Sequence, residues 1–440
     1  MRIGSSLTAE LIKLIREKQV TDEDLKQAGL FTLDAIACIA AGRNTETGKR
    51  LTRWAEVLGD GTGGMNGLDP ARRAFLSGAF GHQLELHATH KASVSAPGCA
   101  VVPVVLALGQ GLPVRDVLTA VLHGVEVVTR IGAATGDTQL KLWDNTSVAG
   151  PFGSALAAAS LLGLNPEQTV AALGNAGTQA AGLWEFISSG TDTKTIHAGR
   201  AAEAGLVSAT LAALDMKGPL RILEGPRGLF PAICPDGRIE TVLDDRRAPW
   251  KIHDISFSVW PFSHLTHPTI SATFKVREQI LEKGLDPTNY TRMEIETYQA
   301  AAERCDRVVL STARSARYSL QHAAACAMWD GEVDLNSFSE EARRRLAPKR
   351  ERTAVSATLD FSMRYPDAWG ARVTAHLPQA QPFTAIAQES RGDPEKPLSE
   401  DALLEKVEAL LAYGDYAGSE ALALLAEDPT GRQPFEVSVF

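Results

Sequence analysis

Residues 186–205 read FISSGTDTKTIHAGRAAEAG. A run of small residues halts at Gly190, three side chains with hydroxyl or carboxylate oxygens follow, and Lys194 stands where a new helical pattern begins. Thr191, Asp192 or Thr193 can cap that helix, because each offers an oxygen to amides that have no partner in a first turn. Amides left over there favour an anion beside Lys194. From Ala198 to Gly205 the helix is slim enough for a neighbouring backbone to come close. A lysine fixed between closely packed helices is a candidate for chemistry; the plainer alternative is a solvated lysine on a loop.

Upstream of this stretch the apolar spacing gives helix after helix: residues 7–17, 22–41, 69–85, 97–109, 114–134, 148–162 and 169–182. Thr21 or Asp22 starts the second, and Asn165 followed by Pro166 starts the last. Glu126 and Arg130 stand four apart on one face and are expected to satisfy each other. Beyond about residue 217 the pattern changes. Residues 218–256 are rich in Gly, Pro, Arg and Asp, and 257–260 are expected to be extended before Pro261. Residues 293–298 and 356–363 alternate with a period of two, as strands do, with helices at 271–283 and 315–329 between them. Helices return at 398–411 and 417–425. The fold class expected is mainly α: a large all-helical domain from 1–250 and 394–440, with a smaller α+β domain over 251–393.

With 440 residues, 44% apolar and 22% charged, the chain has the composition of a soluble protein of two domains. Only 6% is aromatic, so packing rests on Ala, Leu, Val and Gly. A net charge of -9 argues against a nucleic-acid partner. No charge-free apolar run reaches the roughly 18 residues of a membrane span, and the first ten residues lack an apolar signal core. Five cysteines, without a C-x-x-C pair, indicate neither a disulfide framework nor a zinc knuckle. A reducing, cytoplasmic location is expected. The glycine-rich residues 59–67 lack the Lys-Ser/Thr ending of a phosphate loop. His82, His87 and His90 cluster around Glu85, but H-x-x-H is not the spacing of two zinc ligands on a helix, and no metal is expected.

Four segments resemble the MmgE/PrpD family, which includes 2-methylcitrate dehydratase, cis-aconitate decarboxylase and iminodisuccinate epimerase. They are residues 81–108 with Pro97-Gly98 and Val101-Val102-Pro103; residues 145–164; residues 190–205 with Thr193-Lys194 and His197-Ala198-Gly199; and Trp260-Pro261-Phe262 with His267-Pro268, backed by Asp330-Gly331 and Asp393-Pro394. The resemblance implies a helical domain built from both chain ends, an inserted α+β lid, a homodimer, no cofactor, and a small di- or tricarboxylate substrate from which a proton is removed next to a carboxylate. The chain also departs from the dehydratase and decarboxylase pattern, Asp-x-Asp-Asp-Thr. Here Glu85, His87, Ala88 and Thr89 stand at those positions, and Ala96 stands where a histidine precedes Pro97. Trp143-Asp144 replaces a Phe-His pair, and Ser258 replaces the lid lysine.

Lys194 and Thr89 carry over as catalytic candidates, and His90 and His264 are the replacement proton carriers. Glu85, His87, Asp144, Thr146, His197, Ser258 and His267 are the substrate-contact candidates. Lys194 can neutralise a carboxylate beside a developing carbanion or, desolvated, act as base. Histidine suits proton return near neutrality. Arg200, Arg227 and Lys91 are further possible carboxylate partners, with solvated surface charge as their plainer reading. The expected reaction is a dehydratase-type lyase; the alternatives are an epimerase, a cis-aconitate decarboxylase-like lyase, or a carboxylate-binding protein without chemistry.

Overall fold

Strong local starts set the helices of the computed structural model, which describes residues 6–58, 67–244, 246–416, 422 and 425–437. Thr21 and Asp24 close a reciprocal capping box at the head of Asp22–Arg43, and Asn165 with Gln168 does the same for Pro166–Gly177. Each such cap satisfies two amides that the helix itself leaves open. Residues 59–66 of the glycine-rich segment 59–67, and most of the expected helix at 417–425, lie outside the described residues.

The chain divides into two compact units. The larger, Met1–Trp184, Asp192–Ile255 and Ser399–Phe440, is helical. Its centre is Asn145–Leu161, fully buried along most of its length, which packs against Val114–Ala134 and Thr193–Ala213. Glycines set these approaches. A side chain on Gly153 would lie 2.7 Å from the Gly124 carbonyl, and one on Gly205 would lie 2.6 Å from that of Pro151. Gly199 meets the Phe75 carbonyl in the same way, at 2.5 Å. The slim face over 198–205 thus receives two neighbouring backbones.

Two other expected helices stop early. Pro70–Gly81 ends at His82, and Pro166–Gly177 ends at Thr178. After the first, Glu85 takes a left-handed φ of 57°; after the second, Gly182 takes 127°. Asp22–Arg43 and Val114–Ala134 have the length and hydropathy to cross a membrane, yet both are mostly buried in this unit. Asp34, fully buried in the first of them, pairs with Lys406 of Glu400–Tyr413 at 2.5 Å. Burial pushes the Asp34 carboxyl up, and the ammonium opposes that shift. Glu126 and Arg130 do pair, at 2.9 Å, and Lys18 at 2.8 Å extends them into a buried network.

The smaller unit, Glu185–Thr191 and Ser256–Leu398, carries a four-stranded sheet in the order Thr353–Ala357, Arg292–Thr297, Ala371–His376, Phe383–Ala387. The first pair is parallel, with Ile295 opposite Val355; the other two are antiparallel, with Ile295 opposite Val373. His267–Glu282 packs on the strands Ala371–His376 and Phe383–Ala387, and its Val276 and Ile280 are fully buried. The strand expected at 293–298 is present within one residue. The one expected at 356–363 is displaced: the strand ends at Ala357 and a short helix, Leu359–Ser362, follows. Leu359 and Met363 are 72% and 76% exposed, so their alternation reflects no buried face. The single helix expected at 315–329 is three pieces, because Ser319 caps a fresh start at Leu320 and a wide turn follows from Cys326 to Asp330.

Candidate functional site

Lys194 is the second residue of Thr193–Ala213. Of the three expected capping residues, Asp192 takes the N-cap position, with helical dihedrals and no side-chain cap bond. Its main-chain carbonyl instead receives the Thr195 amide at 3.1 Å and the Thr195 hydroxyl at 2.8 Å. The lysine turns inward, is only 6% exposed, and donates to both carboxylate oxygens of Glu85 at 2.7 Å. The anion expected beside Lys194 is therefore supplied by the protein itself. Glu85 reaches it from a left-handed backbone that costs a non-glycine residue about 1–3 kcal/mol. Strain retained at a buried ion pair suits a functional position better than a purely structural one.

Histidines line this pair. His82 and His87 meet edge to face with ring centroids 4.3 Å apart. Burial, then the positive charge of Lys194, holds His82 well below the ordinary imidazole range, and His87 and His197 act in the same sense. His197 in turn faces Asp144, Nδ1 to Oδ2 at 3.2 Å. Asp144 is held twice over: its carboxylate caps Asn145–Leu161 by accepting from the Thr146 amide at 3.0 Å, and its own amide donates to the Gly182 carbonyl at 2.9 Å. A side chain at Gly182 would come within 3.2 Å of the His197 Nδ1, so glycine keeps that imidazole in place. Thr146 Oγ1 accepts from the Ala96 amide at 3.0 Å. The structure thus brings Glu85, His87, Lys194, His197 and Asp144 into one electrostatically linked group through His82, with Thr146 next to Asp144.

His90 stands differently. Its Nδ1 accepts from the Ser93 amide at 3.2 Å and meets the Ser93 hydroxyl at 2.9 Å, in the tight turn that returns at Ser95. Burial pushes its pKa down to about 4, and its charged neighbours are Asp254, Lys251, Glu126 and Lys91. Thr89 is buried in the short extended segment before it. Among the surface-charge candidates, Arg200 pairs with Glu203 at 2.5 Å and Arg227 is exposed, whereas Lys91 is buried. A cavity of about 530 Å³ bounded by Trp54, Phe75, Ile196 and Arg200 contains none of the site residues. Ile196 lies two positions beyond Lys194, across the helix.

In the smaller unit, Ser258 Oγ meets His264 Nδ1 at 3.1 Å, and His264 Nε2 meets Asp393 Oδ1 at 3.2 Å. The other Asp393 oxygen accepts from the Ser390 amide at 2.8 Å. All three side chains are buried. His267 is turned to the carbonyls of Trp260 and Phe262, each at 3.1 Å, and burial keeps it well below the ordinary imidazole range. That places it as a neutral donor fixing its loop. Two participants, His82 and Asp393, were not singled out as site residues by their sequence. His82 was legible in its histidine cluster; Asp393 showed only as an Asp-Pro pair.

A buried ammonium that already holds a carboxylate, flanked by imidazoles, can exchange that carboxylate for one on a substrate and leave a base free beside it. Comparison with known proteins follows the same line. Residues 7–241 match the MmgE/PrpD N-terminal domain and residues 260–425 the MmgE/PrpD C-terminal domain. The chain is similar to the cis-aconitate decarboxylases of Mus musculus and Homo sapiens, each 26% identical over 91% of this chain and 85% or 86% of the relative. A cis-aconitate decarboxylase of Aspergillus terreus is 25% identical over 76% of this chain and 74% of its own length. With both domains matched over most of its length, the chain belongs to the MmgE/PrpD family.

Proposed function

We propose that the protein is a cofactor-independent acid–base lyase acting on a small di- or tricarboxylate. The observation that carries this is the Lys194–Glu85 pair, buried and closed at 2.7 Å. A substrate carboxylate displaces Glu85 from the ammonium, which then neutralises the charge that builds next to that carboxylate as the adjacent C–H breaks. The released Glu85 is positioned to take the proton, and His87 or His197 to carry it onward. A dehydration then closes on simple terms: the C–H electron pair forms the new C=C, and the β-hydroxyl leaves as water with one proton. A decarboxylation, the reaction named for the similar proteins, uses the same ammonium, with CO₂ leaving and the carbanion taking its proton from His87 or His197 in the imidazolium form.

The smaller unit is, in this reading, the family's inserted lid. Its support is connectivity, since the larger unit's chain leaves at Ile255 and resumes at Ser399. The buried Ser258–His264–Asp393 series gives that unit a proton carrier at the position where family members have lysine. Incubating citrate-like and aconitate-like acids in D₂O tests the assignment. A new C=C absorbance or released CO₂ is expected; deuterium gain without either would make the enzyme an epimerase, and no signal across the panel would overturn the catalytic reading.

A further inference from the structure

Next to the ion pair, three donors of another kind converge. The ligating atoms of His82, His87 and Cys99 all lie within 4.8 Å of one another, and all three side chains are buried. His82 ends the helix Pro70–Gly81 as its C-cap, and its ring is hydrogen-bonded to the Lys194 backbone. Its Nδ1, wholly enclosed, has no hydrogen-bond partner. An orphaned buried polar atom costs about 1–3 kcal/mol, so it calls for an explanation. An imidazole anchored to the backbone and lying beside a thiol and a second imidazole is the arrangement found at metal ligands. Cys99 is the second residue of Gly98–Leu108 and buried, and burial holds its thiol well above the ordinary range; a metal ion that takes the place of the thiol proton would supply the charge that makes the thiolate stable there.

We propose that His82, His87 and Cys99 form a binding site for a soft monovalent metal ion, with Cu(I) as the fitting species. Charge selects it. The Glu85 carboxylate and the Lys194 ammonium cancel, imidazoles can ligate only in their neutral form, and the thiolate brings one negative charge. Cu(I) makes the buried group neutral overall, whereas Zn(II) would leave an uncompensated positive charge beside the ammonium, which burial penalises heavily. Thiolate and imidazole donors also suit Cu(I) by softness. Binding replaces the S–H bond of Cys99 with an S–Cu bond and releases one proton. Ligand lengths of about 2.0–2.3 Å require donor separations of roughly 3.5–4 Å, within reach of small side-chain rotations from the present geometry. Occupancy would tie up the imidazoles beside Lys194 and Glu85, which makes the ion an inhibitor; that consequence, unlike the binding itself, rests on the function proposed above.

The test needs no substrate. The reduced protein is titrated under argon against Cu(I) held by bicinchoninate. The wild type is expected to withdraw one equivalent, and His82→Gln and Cys99→Ser none. Cys326→Ser, which removes the thiol 3.8 Å from His322, is expected to keep it. X-ray absorption of the loaded wild type should show one sulfur and two nitrogens on copper, a readout that survives if a variant fails to fold. No copper withdrawn by the wild type, equal copper in Cys99→Ser, or a copper shell without sulfur would overturn the site. Zn(II) binding tighter than Cu(I) would overturn the monovalent assignment.

Discussion

Glu85 and Lys194 illustrate how a single contact can have two roles that experiment can separate. Removing one partner of a buried pair strands the other charge, at a cost of about 3–5 kcal/mol, so Glu85→Gln alone should lower the urea midpoint sharply. Replacing both with neutral groups of similar size, Glu85→Gln with Lys194→Met, should restore most of that stability. Gly182→Ala is a subtler case. The new methyl would press on Ser147 and His197 at 2.6 and 3.2 Å, on a backbone at φ 127° that favours glycine, so loss of turnover should accompany a stability loss of about 1–3 kcal/mol. A shifted His197 imidazole signal in NMR spectra would identify the cause, and an unchanged one would remove His197 from the account.

At the scale of elements, much was legible because short-range chemistry and long-range packing agree. Val114–Ala134 has the bounds its spacing predicts, and the Thr21 and Asn165 starts are capped as read. Thr21→Ala should therefore cost about 1 kcal/mol in a denaturant titration. Gly205→Ala makes the opposite point. Alanine is the better helix former, yet its methyl would meet the Ser154 Cβ at 2.2 Å and the Ala155 nitrogen at 2.4 Å. A net destabilisation of about 1–3 kcal/mol is expected, and a stabilised variant would contradict the close helix crossing. What failed has physical causes. Spacing alone could not distinguish the exposed Leu359 and Met363 from an inward-facing strand row. The strand Ala371–His376 went unread because two of its three inward residues are alanines, whose alternation with Arg, Thr and His is faint. The pairing of Lys194 with Glu85 was hidden as well, since 109 residues separate them and Glu85 was read as helical rather than left-handed.

For the whole molecule, buried histidines set the response to acid. Burial pushes His123 and His322 down to about 4, from an ordinary value near 6.5. A folded-state pKa depressed in a base means that the unfolded chain takes up the proton first. Stability is therefore full above pH 6.5 and falls as pH drops from 6.5 towards 4. Each such group contributes a slope of up to about 1.4 kcal/mol per pH unit in that window. Urea midpoints at pH 7, 5.5 and 4.5 should decline, and His123→Gln should flatten the decline by about one proton. A midpoint independent of pH over this range would mean that these imidazoles are not neutral in the folded protein.

The most direct measurement compares the wild type with the double variant Glu85→Gln, Lys194→Met, following turnover and deuterium uptake of a tricarboxylate panel in D₂O together with thermal stability. The expected result is a variant that melts close to the wild type but shows neither turnover nor exchange. A folded double variant that still turns over substrate would show that the buried pair holds the fold and has no part in the chemistry.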